Sequence, residues 1–268
     1  MEIVAQNLSK LWGEDTAEPT LAVDSATHHF GSQKFTCLLG PSGCGKSTLL
    51  QIIGGLTPSS GGKLEIRDPV SNSVIEPGRE SVMVWQSFNL FPWLNVIDNV
   101  SFGLKVSGVG KTARLQKAQD MIDFVGLQGF EFKLPSQLSG GMRQRVSLGR
   151  ALIMDPAILL MDEPFGALDA QTKIVMQQEV QRLFLETRKT IVFVTHSIEE
   201  SIMLADEVVV MTARPGRVKD VVPVDLPRPR TTSDITKPAF GKLYEQIYGL
   251  IRDEVEKSMD RERQQVGA

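Results

Sequence analysis

The sequence predicts an α/β protein whose core is a mostly parallel β-sheet. Four short segments are almost continuously apolar rather than alternating, as strands covered by helices on both faces must be. These segments are residues 35–39, 81–85, 158–161 and 191–195. Segments with a helical spacing of apolar residues lie between them. With 268 residues, 41% of them hydrophobic, the chain is long enough to bury a large core without disulfides.

Other segments complete the predicted core. Residues 2–5, 63–67 and 207–211 are rich in β-forming residues and are predicted as strands. An insertion of about seventy residues separates segment 81–85 from segment 158–161, which is too long for a simple crossover. Two groups of apolar residues recur in it at helical spacing: Leu115, Ala118, Ile122 and Val125, then Met142, Val146, Gly149 and Ile153. Residues from about 87 to 154 are therefore predicted to form an inserted helical subdomain.

The C-terminal part of the chain changes character. After a Pro-Gly turn signal, residues 217–224 are predicted to pair with 207–211 as a hairpin. The Leu-Pro-Arg-Pro-Arg run at 226–230 cannot be helical and is predicted to be an extended linker. A terminal helix follows, with one apolar face, and residues 252–265 are too charged to belong to the core. That face consists of Phe240, Leu243, Tyr244, Ile247 and Ile251.

Composition excludes several classes of protein. The 29 basic and 32 acidic residues give a net charge of −3, so the basic surplus of a nucleic-acid-binding protein is absent. No stretch approaches the twenty apolar residues of a membrane span, and the N-terminus lacks the pattern of a signal peptide. Two cysteines, Cys37 and Cys44, cannot form a disulfide framework. We expect a cytosolic protein that needs another subunit if it works at a membrane.

A phosphate-binding loop follows the predicted strand 35–39. Residues 40–47 fit the pattern G-x-x-x-x-G-K-[ST] and precede a helix start. Glycines let backbone N–H groups surround a phosphate, and the helix N-terminus adds partial positive charge. Lys46 is expected to reach the β- and γ-phosphates, and Ser47 to ligate Mg²⁺. The predicted nucleotide-binding residues of this loop are Gly40, Pro41, Ser42, Gly43, Cys44, Gly45, Lys46, Ser47 and Thr48.

Two adjacent carboxylates end the predicted strand 158–161. Ligands of parallel α/β sheets bind at the carboxyl ends of the strands, which puts Asp162 and Glu163 beside the phosphate-binding loop. Asp162 is predicted to hold Mg²⁺, and Glu163 to act as the general base that activates water for attack on the γ-phosphate. A solvated acidic turn before Pro164 is the alternative interpretation.

The segment Leu138-Ser-Gly-Gly-Met-Arg-Gln-Arg145 decides the class. Alone it is a serine-capped helix start with two glycines. Together with the phosphate-binding loop and the carboxylate pair, it resembles the signature of ATP-binding-cassette (ABC) ATPases, and the resemblance covers residues 1 to about 225. The resemblance implies a P-loop NTPase core of the RecA-like type, with an antiparallel β subdomain and an inserted α-helical subdomain. It leaves residues 226–268 as linker and C-terminal helix.

The resemblance also implies roles for single residues. Gln86 is similar to the family's Q-loop glutamine, which touches Mg²⁺ and the attacking water, and His196 to the switch histidine that contacts the γ-phosphate. Residues 167–169, Ala-Leu-Asp, resemble the D-loop that crosses to a partner subunit. In the family, the segment of Ser139, Gly140 and Gly141 closes on ATP held by the other subunit. Function therefore implies a dimer, either of this chain or with a close paralogue.

Aromatic residues add two further predictions. Trp12, 28 residues before Gly40, is the candidate for stacking on adenine, although a core position is the alternative. Aromatic residues of 88–93, together with residues 96–100, are placed in a loop after Gln86. They form either the local core of the helical subdomain or part of the groove that, in ABC importers, receives the membrane subunit. No metal site is predicted at His28 and His29, and packing is expected of Cys44.

These observations favour the ATP-hydrolysing subunit of a bacterial ABC importer. The sequence of residues 86–100, 138–145 and 226–230 resembles that of the nitrate, sulfonate and taurine importer ATPases. That resemblance implies ATP and Mg²⁺, a permease and, indirectly, a solute-binding protein as partners, no nucleic acid, and a peripheral position at the cytoplasmic face of the inner membrane. A non-transport ABC protein acting on DNA or ribosomes is the alternative, but it lacks support from any coiled coil, zinc motif or basic surplus. A P-loop kinase or GTPase leaves residues 139–145 and His196 unexplained.

Overall fold

A computed structural model describes the backbone of residues 1–166 and 168–266. The chain alternates strands and helices and ends in a long helix that follows the last two strands. The strands are β1 (Glu2–Trp12), β2 (Thr20–Phe30), β3 (Phe35–Leu39), β4 (Gly61–Arg67), β5 (Val74–Ile75), β6 (Ser81–Val84), β7 (Ile158–Asp162), β8 (Thr190–Thr195), β9 (Glu207–Met211) and β10 (Val218–Pro223). The helices are α1 (Lys46–Ile53), α2 (Val96–Val106), α3 (Lys111–Phe124), α4 (Gly140–Leu152), α5 (Ala170–Thr187), α6 (Ile198–Leu204) and α7 (Pro238–Val266).

The larger sheet has the order β10-β9-β3-β8-β7-β6. Strands β9, β3, β8, β7 and β6 run parallel, and only β10 pairs antiparallel, as the predicted hairpin with β9. Every residue of β3, β7 and β8 is buried, which confirms the interpretation of their apolar runs as central parallel strands. The carboxyl ends of β3, β7 and β8 therefore meet at one edge of the sheet.

The smaller sheet is antiparallel, with the order β2-β1-β4-β5. Its inner residues, including Ile3 and Phe30, share a hydrophobic core with α1 and with the near face of the larger sheet. Strand β2 was not predicted, because its alternation is interrupted at Ser25, where φ is 51° and the register with β1 shifts nearby. The fold is the predicted one: an α/β core with an antiparallel β layer and a group of inserted helices.

Helices α2, α3 and α4 form the inserted subdomain and enclose their own core. Val96 and Val100 were placed in a loop, but they lie in α2, which begins at Val96 because Asn95 caps it through the N–H of Asp98. Both valines are fully buried in this core, so the local-core interpretation is correct for them.

The C-terminal helix packs against the larger sheet. Phe240, Ile247 and Ile251 are buried in the same core as the parallel strands, whereas Tyr244, predicted on this face, is exposed. The prediction that residues 252–265 stay outside the core is wrong at Glu254, which is only 3% exposed. Lysine side chains and a backbone N–H bind its carboxylate, and this compensates for its burial. The division of the chain at residue 225 stays a prediction.

Arg230 fixes the linker that precedes α7. Its guanidinium is fully buried and donates to carbonyl oxygens at the end of α6 and in the linker, including those of Ala205 and Leu226. Burial lowers the pKa of Arg230 to about 10. Within the residues that the structure describes, none of the helices is long and apolar enough to cross a membrane.

Candidate nucleotide site

The first part of the site is the loop between β3 and α1. Gly43 has a φ of 69° and Gly45 a φ of 102°, left-handed conformations that glycine adopts without strain. A Cβ on Gly45 would also lie 2.5 Å from the carbonyl oxygen of Ala22. Helix α1 begins with no side-chain cap, so no side chain takes up its first N–H groups. The loop has the backbone shape and the donors that an anion at a helix N-terminus requires.

Lys46 is buried beneath this loop, with only 4% of its surface exposed. Its Nζ donates to the carbonyl oxygens of Gly40, at 2.8 Å, and Pro41, at 2.9 Å. A buried ammonium needs such acceptors, and here it finds them on the loop itself rather than on a carboxylate. The charge of Lys46 is thus held directly against the loop that is predicted to bind phosphate.

The second part joins α1 to β7. Ser47 Oγ donates to Asp162 Oδ1 at 2.8 Å. Burial raises the pKa of Asp162, and the negative charge of Glu163 raises it further, while the hydrogen bond from Ser47 and the charge of Lys46 oppose the shift. A hydroxyl and a carboxylate that meet beside a phosphate-binding loop are the oxygen donors that Mg²⁺ prefers when it also binds substrate phosphates. The residues present therefore fit a magnesium ion.

Glu163 and His196 form the third part. Glu163 has a φ of 43°, a strained conformation for a non-glycine residue, and its N–H donates to the carbonyl oxygen of Val194 on β8. Glu163 Oε2 lies 3.2 Å from Nδ1 of His196, which follows β8. The ends of two adjacent parallel strands thus bring together the two side chains that the sequence predicts around the γ-phosphate.

A cleft of about 390 Å³ lies over the loop. Trp12 lines it with 41% of its surface exposed, which places the ring beside the loop rather than in the core. Gln86 also lines the cleft, and its Nε2 would lie 3.2 Å from a Cβ on Gly166, so glycine there leaves room for the amide. The lining residues are Trp12, Thr20, Ala22, residues 42–48, Gln86, Glu163 and Arg214.

The predicted signature segment lies elsewhere. Ser139 is exposed and caps α4, accepting a hydrogen bond from the N–H of Met142 at 3.3 Å. Gly141 packs on α5, where a Cβ would lie 2.3 Å from Cγ2 of Thr172. Ser139, Gly140 and Gly141 are absent from the lining of the cleft. The structure therefore does not bring this segment to the loop of the same chain.

Other predicted positions are distributed as follows. Ala167 lies outside the described residues, and Asp169 caps α5 through the N–H of Thr172. In the loop after Gln86, Trp93 is 72% exposed, while Phe88 is partly covered by the guanidinium of Arg143, which lies 5.2 Å from its ring centroid.

The two histidines and the loop cysteine have ordinary partners. His28 Nε2 lies 3.1 Å from Glu207 Oε1, and His29 Nε2 lies 3.0 Å from Glu2 Oε2. Burial raises the pKa of Glu207, but hydrogen bonds from His28 and Thr36, together with nearby positive charge such as that of Lys34, lower it to about 2. Cys44 is buried against the loop, and burial raises the pKa of its thiol.

The sequence reasoning missed Arg214. It follows β9 and lines the cleft, and its Nε donates to the carbonyl oxygen of Gly43 at 3.2 Å. An exposed arginine in a turn has no distinctive sequence signal. The available clue was the Pro215-Gly216 pair, which fixes a turn next to the end of a strand that neighbours β3.

Comparison with known proteins agrees with this geometry. The family model described as "ABC transporter" matches residues 23–166. An uncharacterized ABC transporter ATP-binding protein of Methanocaldococcus jannaschii is 43% identical over 259 residues, covering 97% of this chain and 94% of that protein. A taurine import ATP-binding protein of Burkholderia thailandensis is 46% identical over 198 residues, covering 74% and 75%.

A solved structure extends the likeness to three dimensions. A dimeric ATP-binding cassette in a post-hydrolysis state, bound to ADP and Pi, superposes with a TM-score of 0.71 at 29% identity. The match covers 83% of this chain and 98% of that one. The chain therefore belongs to the ABC transporter family, as an ATP-binding subunit that hydrolyses ATP.

Proposed function

We propose that this chain energises the import of a small anion of the taurine, sulfonate or nitrate type. The observation that carries the ATPase part is the meeting of Lys46, the Ser47–Asp162 pair and the Glu163–His196 pair around one loop. The import part is supported by relatives named as taurine import ATP-binding proteins, at 42–46% identity. Such a subunit does not touch the solute, so its cleft carries no information on which anion is imported.

In this proposal the loop 40–48 binds the phosphates of ATP. Backbone N–H groups at the start of α1 donate hydrogen bonds to the phosphate oxygens, and Lys46 supplies a compact cation close to the loop. Ser47 and Asp162 are the side chains that would hold Mg²⁺, with Gln86 facing the same cleft. When bound, this ion neutralises charge on the phosphate oxygens. Trp12 offers its exposed ring to the adenine.

Glu163 acts as the general base in this proposal. Its carboxylate accepts the proton of the attacking water, and His196 orients that carboxylate through the 3.2 Å contact with Nδ1. Gln86 lies in the same cleft, where its amide binds the water or the metal. The strained backbone of Glu163, tied to β8 by its N–H, keeps the carboxylate at a fixed place.

Two partners follow from the same proposal. A second ATPase subunit, either this chain or a close paralogue, supplies Ser139, Gly140 and Gly141 to the ATP bound here. A permease binds the loop after Gln86, where the exposed indole of Trp93 offers an apolar contact. A solute-binding protein acts on the permease from the other side. This chain then works peripherally, at the cytoplasmic face of the inner membrane, and needs no nucleic acid.

Replacing Glu163 tests both parts of the proposal. Glutamine keeps the shape of the side chain but cannot accept a proton as the carboxylate does. We expect Glu163→Gln to slow ATP hydrolysis by about 10²–10⁴-fold while ATP binding stays close to that of the parent. In a strain that lacks the chromosomal copy, the parent should restore uptake of labelled taurine, an alkanesulfonate or nitrate, and Glu163→Gln should not.

Glu186→Gln is the matched control, because Glu186 is an exposed carboxylate on α5 that does not line the cleft. It should leave hydrolysis and uptake unchanged. Hydrolysis by Glu163→Gln within about twofold of the parent would show that Glu163 is not the base. If the parent hydrolyses ATP but the complemented strain takes up none of the three anions, the proposed class of solute is wrong, and the role of Glu163 is unaffected.

A further inference from the structure

The turn between β9 and β10, residues 212–217, packs against the phosphate-binding loop. A Cβ on Gly216 would lie 2.0 Å from the carbonyl oxygen of Cys44, so the turn and the loop are in backbone contact there. The N–H of Gly216 donates to Ala22 and its carbonyl accepts from Asp24, at 2.9 and 3.0 Å. The turn is thus fixed to the loop and to β2 at the same time.

Arg214 reaches from this turn into the cleft. Its Nε donates to the carbonyl oxygen of Gly43 at 3.2 Å, and its side chain lines the cleft together with Trp12 and the loop. Among the described residues, no carboxylate pairs with Arg214, whereas the neighbouring Arg217 pairs with Asp24. A guanidinium has five N–H donors, so the bond to Gly43 leaves four for a ligand.

The C-terminal helix α7 contacts the turn through a hydrogen bond. Glu254 Oε2 accepts a hydrogen bond from the N–H of Ala213, next to Arg214, at 3.0 Å. Lys219 and Lys257 bind the other oxygen of Glu254, at 2.8 and 2.9 Å. Burial raises the pKa of Glu254, but these three bonds outweigh it and lower the pKa to about 2. At neutral pH the carboxylate is charged and fixes the backbone that carries Arg214.

We infer that Arg214 is a nucleotide-binding residue, whose guanidinium binds phosphate oxygens of ATP, and that Glu254 of α7 is the residue that positions it. A planar guanidinium suits phosphate because it donates two parallel hydrogen bonds. The cleft holds Glu163 and borders Asp162, so a second cation beside Lys46 offsets their charge when a phosphate chain enters. The inference rests on the proposed assignment of this cleft as the nucleotide site.

The test is calorimetric titration of the full chain with ATP, ADP and adenosine. We expect Arg214→Met to weaken ATP affinity about tenfold, which is the effect of one charge-assisted hydrogen bond, and to leave adenosine affinity unchanged. Arg217→Met is the matched control, from the same turn but paired with Asp24, and should bind ATP within about twofold of the parent. Arg214→Lys keeps the charge without the planar fork and should lose about threefold.

Glu254→Gln separates positioning from packing. Its amide oxygen can still accept from Ala213, but the ion pairs with Lys219 and Lys257 are lost, so we expect a loss of about threefold in ATP affinity with adenosine affinity unchanged. If Arg214→Met does not fold, the comparison of Arg214→Lys with Glu254→Gln gives the same test.

The titrations can contradict the role of Arg214, the role of Glu254 or the assignment of the cleft. Unchanged ATP affinity in Arg214→Met or Arg214→Lys, or an equal loss for adenosine, overturns the role of Arg214. Unchanged affinity in Glu254→Gln overturns the positioning role of Glu254. Unchanged ATP affinity in Lys46→Ala, measured in the same series, would instead overturn the assignment of the cleft.

Discussion

Two glycine-rich helix starts in this chain look alike in sequence and differ in structure. The loop before α1 has glycines in left-handed conformations, no side-chain cap and a cleft above it. The segment before α4 has a serine that caps its own helix, and its glycines lie within the helix, where Gly141 packs on α5. Both segments are predicted to bind phosphate, but only the first forms a cleft within one chain.

The difference indicates which site is complete in a single subunit. Around the first loop, side chains from β1, the end of β7 and the region after β6 converge on one cleft: Trp12, Glu163 and Gln86. Ser139 itself is exposed, and neither it nor Gly140 and Gly141 line that cleft. The second segment is thus suited to complete a site on another molecule, as the proposed dimer requires.

The largest effect is expected from removing the cation of the first loop. Lys46→Ala takes away charge-assisted bonds to the phosphates, so ATP affinity should fall by about 100-fold or more. Lys111→Ala is the matched control, because Lys111 is also the first residue of a helix but has no such loop before it. It should bind ATP as the parent does. Equal ATP affinity in Lys46→Ala and the parent, by direct titration, would contradict the site.

The parts of the fold and of the site that could be predicted from the sequence depend mainly on local sequence patterns or on general rules for parallel sheets. Strands β3, β7 and β8 were predictable because burial on both faces demands local apolar runs. The residues of the first loop were predictable because the pattern and its strand–helix context are local too. That Ser47 meets Asp162, 115 residues away, followed from the rule that ligands bind at the carboxyl ends of parallel strands.

The parts that were missed depend on contacts with no local signal. Arg214 is one exposed arginine among many, and only the packing of its turn on Cys44 brings it to the cleft. Glu254 lies in a charged stretch that predicts exposure, yet two lysines and a backbone N–H make its burial favourable. The roles of such residues follow from their tertiary contacts, and these contacts join segments that are far apart in the sequence.

An intermediate effect is expected at the second helix start. Ser139→Asp keeps a good N-cap but adds a negative charge where the partner's ATP is proposed to lie, so ATP-driven dimerisation should weaken about 30-fold. Ser139→Asn has the same size and also caps helices, without the charge, and should dimerise more strongly than Ser139→Asp. Light scattering with ATP measures both, and monomer ATP affinity should stay at the parental value. Equal dimerisation of the two variants would argue against a phosphate facing Ser139.

The smallest effect is expected in stability, and it has the opposite sign to the effect on binding. Burial raises the pKa of Asp162 above 3.8, so the folded chain holds this proton more tightly than the unfolded chain. The free energy of unfolding therefore falls as pH rises from the pKa of the unfolded chain through the raised pKa of the folded chain. Asp162→Asn removes the charge while its amide oxygen can still accept from Ser47. We expect Tm without ligand to rise by about 2–4 °C at pH 7, and the rise to shrink as pH is lowered toward 4.

The same variant should lose the part of its ATP affinity that depends on Mg²⁺, because an amide is a weaker ligand for that ion than a carboxylate. Asp225→Asn, at an exposed position just before the linker, is the control and should change Tm by less than about 2 °C. A lower Tm in Asp162→Asn would mean that the hydrogen bond from Ser47 and the charge of Lys46 outweigh burial of the carboxylate. A higher Tm together with weaker Mg²⁺-dependent binding would show that the site around the first loop, unlike the capped start of α4, keeps a buried charge for its ligand at a cost in stability.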